Sequence, residues 1–485
     1  MSPGVVIVTV VAYLLFMFLV AWMAGKGSDN SAFFSGSRKS RWYIAALAMI
    51  GAPMSGVTFV SVPGMVSSSG FGYIQMCLGF VAGYLVISYV LIPLFYKLDV
   101  VSIYQYLENR FGAASYKTGA WFFFISKMLG ASVRFFLVCL TLQLLVFSPL
   151  GLPFWLNVLL SVLVVFAYTF TGGVKTVIWT DALRTLCMIL AVVLGIVFIA
   201  RNLGFDFKGL VGSVNGSSMS RVFFFDDVKE AQFFWKQFLG GLFTAVAMTG
   251  LDQDMMQRPL SCKDPKDSRK NMISSGLLQV VVVFLFLCLG VLLYQFASAN
   301  GIGETGDKIF AAVASSGLLP GIVGILFIIG LVASAYGAGG SALTSLTTSF
   351  TVDILGGMKK DEASLTRTRK MVHVGMAVLM AVVIIVFDKL SNTSAINAVY
   401  TLASYTYGPI LGMFAFGLIC KSEVKDKYVP VVAVLAPLLC LVLQLNSGRW
   451  FGGYKFSYEI LLLNAVFVFL GLCCLIRKKN RNIQN

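Results

Sequence analysis

Apolar residues in this chain come in long blocks rather than alternating with polar ones. Thirteen windows, at 4–24, 42–66, 71–96, 118–147, 153–171, 174–200, 233–256, 273–298, 318–350, 371–387, 395–420, 428–446 and 457–476, are dominated by apolar residues and separated by polar loops. About 20 residues at 1.5 Å rise cross a hydrocarbon layer of roughly 30 Å. The pattern therefore predicts an all-α polytopic membrane protein of about thirteen transmembrane helices. Composition agrees: 58% of the chain is hydrophobic and only 12% charged, against about 25% charged in a soluble domain. The first window has no basic residue before it, so it reads as a true helix and not as a cleavable leader.

The net charge of +16 changes the picture only through its location. With the N-terminus outside, 25 of the 37 basic residues fall in cytoplasmic loops, among them Lys39, Arg41, Lys263, Lys266, Arg369 and Lys425. The positive-inside rule thus predicts an inner (plasma) membrane protein with its N-terminus outside and its C-terminus cytoplasmic. Basicity of this kind reports topology and contact with the anionic lipid bilayer, not nucleic acid. The nine cysteines lie mostly in apolar runs without metal-ligand spacing and read as packing residues.

Two windows are interrupted near their centres. The second reads Ile50-Gly51-Ala52-Pro53-Met54-Ser55-Gly56-Val57-Thr58-Phe59, and five windows later the seventh contains Met248-Thr249-Gly250-Leu251-Asp252-Gln253-Asp254. Pro lacks a backbone N–H and Gly is a poor helix former. Each interruption alone reads equally as a kink or a close-packing position. Placed in corresponding positions of two halves, they point to a transporter built as an inverted repeat with its site at the repeat interface. The organisation expected is one domain over 1–485: an extra helix at 4–24, repeats at 42–201 and 233–420, two further helices over 428–476 and a cytoplasmic tail at 477–485.

At this point the residues resemble the sodium:solute symporter family. The likeness runs through Met54-Ser55-Gly56 leading to Val62-Pro63-Gly64, the loop from Asp99 to Gly112, Gly172-Gly173-Val174-Lys175-Thr176, Asp252-Gln253-Asp254-Met255-Met256-Gln257-Arg258, and Ser341-Ala342-Leu343-Thr344-Ser345 through Asp353. The resemblance implies a leucine-transporter-like fold, a 5+5 inverted repeat with broken first and sixth core helices. It also implies alternating-access transport of a small polar organic solute: a sugar, a sialic acid-like compound or a carboxylate. A sodium site is implied at the carbonyls of Gly51, Met54 and Ser334, with a hydroxyl pair falling on Gly337 and Ala338. Where relatives have a second ion, positions matching Gly340 and Ser341 take part and Asp181 matches a carboxylate nearby, while Ser345 is a candidate for an oxygen missing from the first site.

Gly337 and Ala338 carry no hydroxyl. Three readings stay open: the ion is lost, a proton or a differently placed ion replaces it, or Ser341, Thr344 or Ser345 supplies the missing oxygens. Weakened or altered cation coupling ranks ahead of a conventional sodium symporter. For the solute, Lys127 and Arg134 are charges in the fourth window, two turns apart on one helix face. Arg134 matches an arginine that binds a carboxylate in sialic-acid-carrying relatives, while pairing with Asp252, Asp254 or a freed backbone carbonyl is the alternative; Lys127 reads as packing or snorkelling. Ser55, Thr58, Tyr73, Gln75, Thr249, Gln253 and Tyr405 complete the expected substrate site. Cys77 stands where the sialic acid branch has glutamine. An enzyme is disfavoured because His373 is the only histidine and no phosphate-binding loop precedes a helix. No cofactor is expected beyond possible Na+ or H+. A solute sensor is the remaining alternative, and the oligomeric state is left open.

Overall fold

The computed structural model of the chain describes residues 3–26, 29–54, 56–170, 173–228, 230–357, 360–390, 395–451, 456 and 459–477. Ser55 lies outside the described residues, as does the predicted tail beyond Arg477. The elements used below are α1 (Pro3–Gly25), α2 (Trp42–Gly51), α3 (Gly56–Gly64), α4 (Tyr73–Lys97), α5 (Ala113–Leu142), α6 (Phe154–Thr169) and α7 (Gly173–Asn202). The second half holds α8 (Phe234–Ala245), α9 (Gln253–Met256), α10 (Pro265–Ala299), α11 (Gly321–Ser349), α12 (Glu362–Leu390), α13 (Ala395–Ile419), α14 (Val429–Trp450) and α15 (Glu459–Cys474). Among the described residues nine helices are long and apolar enough to cross a membrane. The other predicted windows are the shorter α6 and α15 and the two interrupted segments α2/α3 and α8/α9.

Both interruptions fall where glycine and proline placed them. Helix α2 stops at Gly51, whose carbonyl accepts from Met54 N at 3.0 Å across a tight turn, and the chain resumes as α3 at Gly56. Helix α8 runs into a π-helical turn over Val246–Gly250; Leu251 and Asp252 leave helical geometry, with φ −113° and −110°, before α9 begins. The Asp252 carboxylate accepts from Met255 N at 3.1 Å and so caps the restart. Tyr104 donates to the carbonyl of Leu251 at 2.9 Å, satisfying an oxygen that the break exposes.

Several helices begin earlier than the apolar windows. Helix α10 starts at Pro265 instead of 273, because Asp264 accepts from Asp267 N at 2.8 Å and Pro265 occupies the first turn, where its missing N–H costs nothing. Helix α5 starts at Ala113 instead of 118, its first amides bonded to Asp426 from another part of the chain, 2.8 Å from Ala114 N and 2.9 Å from Ser115 N. Helix α12 starts at Glu362 instead of 371, so His373 lies well inside it, buried between Thr169 and Thr347 at 3.0 and 2.8 Å. Polar first turns are invisible to a hydropathy window; caps define them.

Burial sorts the helices. The most apolar stretch of α5 is 76% buried while those of α1 and α14 are only 22% buried, so α5 is central and α1 and α14 are peripheral. Large apolar side chains such as Leu15, Trp22, Leu438 and Leu445 face outward, as a lipid-facing belt requires. Water-driven burial is weak between helices in lipid, and close backbone approach takes its place. A Cβ on Gly79 of α4 would lie 2.1 Å from the carbonyl oxygen of Phe238, and one on Gly241 of α8 would lie 2.2 Å from that of Met76. These two glycines bring α4 and α8 into backbone contact.

Candidate functional site

The two helix breaks share one chamber. Its wall takes Pro53, Met54 and Thr58 from the first break, Tyr73 and Tyr84 from α4, and Ser126, Lys127 and Arg134 from α5. Thr249 and Asp252 come from the second break, Gln279 from α10 and Tyr407 from α13. The cavity measures about 90 Å³, whereas a single water needs about 10–15 Å³. It is thus a polar chamber and not a packing defect. Tyr84 donates to Gln279 at 2.9 Å, fixing the orientation of that amide. Arg134 is partly buried and makes no ion pair or hydrogen bond among the described residues.

Against the chamber lies a buried ionic cluster. Lys127 Nζ is 2.5 Å from Asp254 Oδ2 and 3.1 Å from Asp252 Oδ2, and Tyr407 donates to Asp252. Arg258 reaches Asp181 through Nε at 2.9 Å and Nη2 at 2.5 Å, while its Nη1 donates to the Asp254 backbone carbonyl at 2.7 Å. Arg184 Nη2 is 3.3 Å from the other Asp181 oxygen. Ser341 donates to Asp254 and accepts from Arg258 at 2.5 Å and Gln257 at 3.3 Å. All six charged side chains are at most 5% exposed. Three cations face three carboxylates, so the cluster is neutral, which is the condition for retaining charges away from water.

Of the predicted substrate residues, Thr58, Tyr73, Arg134 and Thr249 line the chamber. Three others do not. Gln253 accepts from Ile103 N at 3.0 Å and donates to Val101 O at 3.1 Å, tying a loop to the break. Gln75 donates to Gln232 O at 3.0 Å and accepts from Phe224 N at 3.0 Å, anchoring the connection before α8. Tyr405 donates to Gln444 of α14. Cys77 is fully buried away from the chamber wall. Lys127, expected to pack or snorkel, is instead the counter-ion of two aspartates, because the second break brings Asp252 and Asp254 within 3.1 and 2.5 Å of its ammonium, which is only 5% exposed.

The predicted ion positions are brought together, but with few oxygens. Ser334 and Ser345 turn their hydroxyls to carbonyls of their own helix, Leu331 at 2.9 Å and Ala342 at 3.0 Å. Ser341 is committed to the ionic cluster, and Asp181 is divided between two guanidinium groups. That leaves the backbone carbonyls at Gly51, Met54 and Ser334 and the Thr344 hydroxyl, which is buried without a hydrogen-bond partner among the described residues, since Gly337 and Ala338 carry no oxygen in their side chains. A hard cation is held by several oxygen ligands at once, and this donor set, without side-chain oxygens at 337 and 338, fits sodium poorly. Sequence reasoning did not assign Arg184, Arg258 or Tyr407 a place here. The available signal was Asp181 and Arg184, spaced three apart in an apolar window and so facing the same side of a helix.

Comparison with known proteins identifies the family and the fold. The chain is 24% identical over 412 residues to the human sodium/iodide cotransporter, a match covering 81% of this chain and 62% of that relative. It is 26% identical over 434 residues to the sodium/sialic acid symporter of Aliivibrio fischeri, covering 85% of this chain and 82% of the relative. Its fold matches the solved structure of a substrate-bound, outward-open, sodium-coupled sialic acid symporter, with TM-score 0.82, 19% identity and 97% of both chains covered. The model of the sodium:solute symporter family matches residues 33–426. With that match over most of its length, this chain belongs to the sodium:solute symporter family.

Proposed function

We propose that the protein is a secondary transporter that carries a small polar solute bearing a carboxylate across the membrane by alternating access. The observation that carries this reading is Arg134: a guanidinium on the chamber wall with no carboxylate partner among the described residues. A planar fork of N–H donors matches a carboxylate bidentately. The other aspartates nearby are already neutralised by Lys127, Arg184 and Arg258, so the chamber keeps one cation for its cargo. Thr58, Thr249 and Gln279 supply hydroxyls and an amide, while Tyr73 and Phe80 offer rings to the solute's apolar faces.

Similarity to sodium-coupled sialic acid symporters supports a sugar acid as the first solute to try, and the absent hydroxyl pair at Gly337 and Ala338 supports weakened or altered sodium coupling. Distribution of the basic loops supports the N-terminus outside and the C-terminus inside. Relatives named as cotransporters and symporters favour a carrier over an enzyme or a sensor.

Thermal unfolding of the purified chain against N-acetylneuraminic acid, lactate, glucose and leucine tests the reading, followed by uptake into proteoliposomes of whatever stabilises it. Stabilisation by carboxylate-bearing solutes, lost in Arg134→Gln, is expected. Preference for neutral solutes, with Arg134→Gln unchanged, refutes the assignment of Arg134.

A further inference from the structure

The cluster contains a cation whose surroundings differ from the rest. Arg184 is completely buried in α7, and its Nε, Nη1 and Nη2 atoms have no hydrogen-bond partner. Its nearest carboxylate oxygen, Asp181 Oδ1, stands 3.3 Å away, and the other oxygen of that carboxylate is held by Arg258. A guanidinium kept from water usually satisfies its five N–H groups, so the place where this one lies demands an explanation.

It lies between the first helix break and α11. A Cβ built on Gly337 would be 2.4 Å from Arg184 Cδ, 2.7 Å from Nη1 and 2.8 Å from Nε. A Cβ on Gly51, the last residue of α2, would be 3.4 Å from Arg184 Nε. The final carbonyls of a helix have no intrahelical donors and carry its partial negative charge. The guanidinium, with the Thr185 hydroxyl beside it, therefore lies next to the last residue of α2 and against the position on α11 where any side chain would overlap it. On the next turn of α11 the space is also filled: a Cβ on Gly340 would fall 1.7 Å from the Tyr168 hydroxyl oxygen, which donates to Tyr336 O at 2.6 Å.

We propose that the Arg184 guanidinium is the resident cation of this carrier, a tethered charge occupying the space between α2 and α11 that a free cation would otherwise enter. Gly337 is the residue that admits it. The position then takes no free sodium, and the charge that stabilises the broken helix stays with the protein throughout the cycle. This inference rests on the carrier reading for its consequence, that solute flux does not draw on a sodium gradient at this position; the occupancy itself stands on the packing.

The test uses the purified full-length chain without solute, so a negative solute screen leaves it intact. Thermal unfolding is followed in NaCl, KCl and choline chloride at equal ionic strength, for the wild type and for the Arg184→Ala/Gly337→Ser/Ala338→Ser variant. Superimposed sodium and potassium curves are expected for the wild type. For the triple variant a sodium-specific, saturable rise in Tm is expected, about 3 °C at a hundredfold excess over Kd. A sodium-specific, saturable rise in the wild type overturns the proposal, as does a folded triple variant that binds no sodium. Where the triple variant does not fold, equilibrium binding of radiolabelled sodium to the wild type decides: no saturable binding supports the tethered cation, and saturable binding overturns it.

Discussion

Replacing Lys127 by methionine keeps the length of the side chain and removes one of three cations from a neutral buried cluster. Asp252 and Asp254 then lose the ammonium at 3.1 and 2.5 Å, and both carboxylates are at most 5% exposed, so little hydration compensates the loss. Arg258 still bonds the backbone of Asp254 and the carboxylate of Asp181, but it cannot neutralise three aspartates with only Arg184 beside it. Breaking a buried pair from one side costs about 3–5 kcal/mol, because the surviving charge is left without compensation. Unfolding entropy of roughly 2.1 cal/mol/K per residue, over 485 residues, is about 1 kcal/mol per degree, so Tm should fall by about 3–5 °C. Intrinsic-fluorescence melts in detergent read this directly. The companion variant Lys127→Met/Asp252→Asn restores neutrality and should recover about half of the loss or more. A single variant within about 1 °C of the wild type, or a double variant no better than the single, would show that the cluster is hydrated and that charge balance does not hold it together.

Arg134→Gln should weaken binding of a carboxylate-bearing solute by about 10- to 150-fold while leaving Tm nearly unchanged, since one charge-assisted contact is worth about 1.5–3 kcal/mol and Arg134 has no ion pair among the described residues to lose; isothermal titration measures it. Gly79→Val places a branched side chain where a Cβ is already 2.1 Å from the Phe238 carbonyl, and because backbone cannot yield as a side chain does, loss of monodisperse protein on size exclusion is the expected result. Asp426→Ala removes the acceptor for Ala114 N, Ser115 N and the Ser115 hydroxyl, a cap worth about 1 kcal/mol, so amide exchange in the first turn of α5 should speed up about fivefold. An unchanged exchange rate there would mean that α5 begins without help from Asp426.

The linear chain determined the helices, the two breaks and the membrane setting, because hydropathy, proline and glycine act over a few neighbouring residues. Thr58, Arg134 and Thr249 were legible for the same reason: polar groups in apolar windows beside a break have few places to face except a chamber. Only the tertiary structure decided which carboxylate meets which cation. Lys127 is 125 positions from Asp252, and Asp181 is 77 from Arg258, and no local pattern specifies pairings over such distances. Gln253, Gln75 and Tyr405 looked equally suited to a solute until packing gave each a backbone or side-chain partner elsewhere. The loss of a hydroxyl at Gly337 was visible in the sequence as an absence. What fills the space, the guanidinium of Arg184 on a different helix, depends on how closely three helices approach, and that is set by the sum of their packing and not by any one of their sequences.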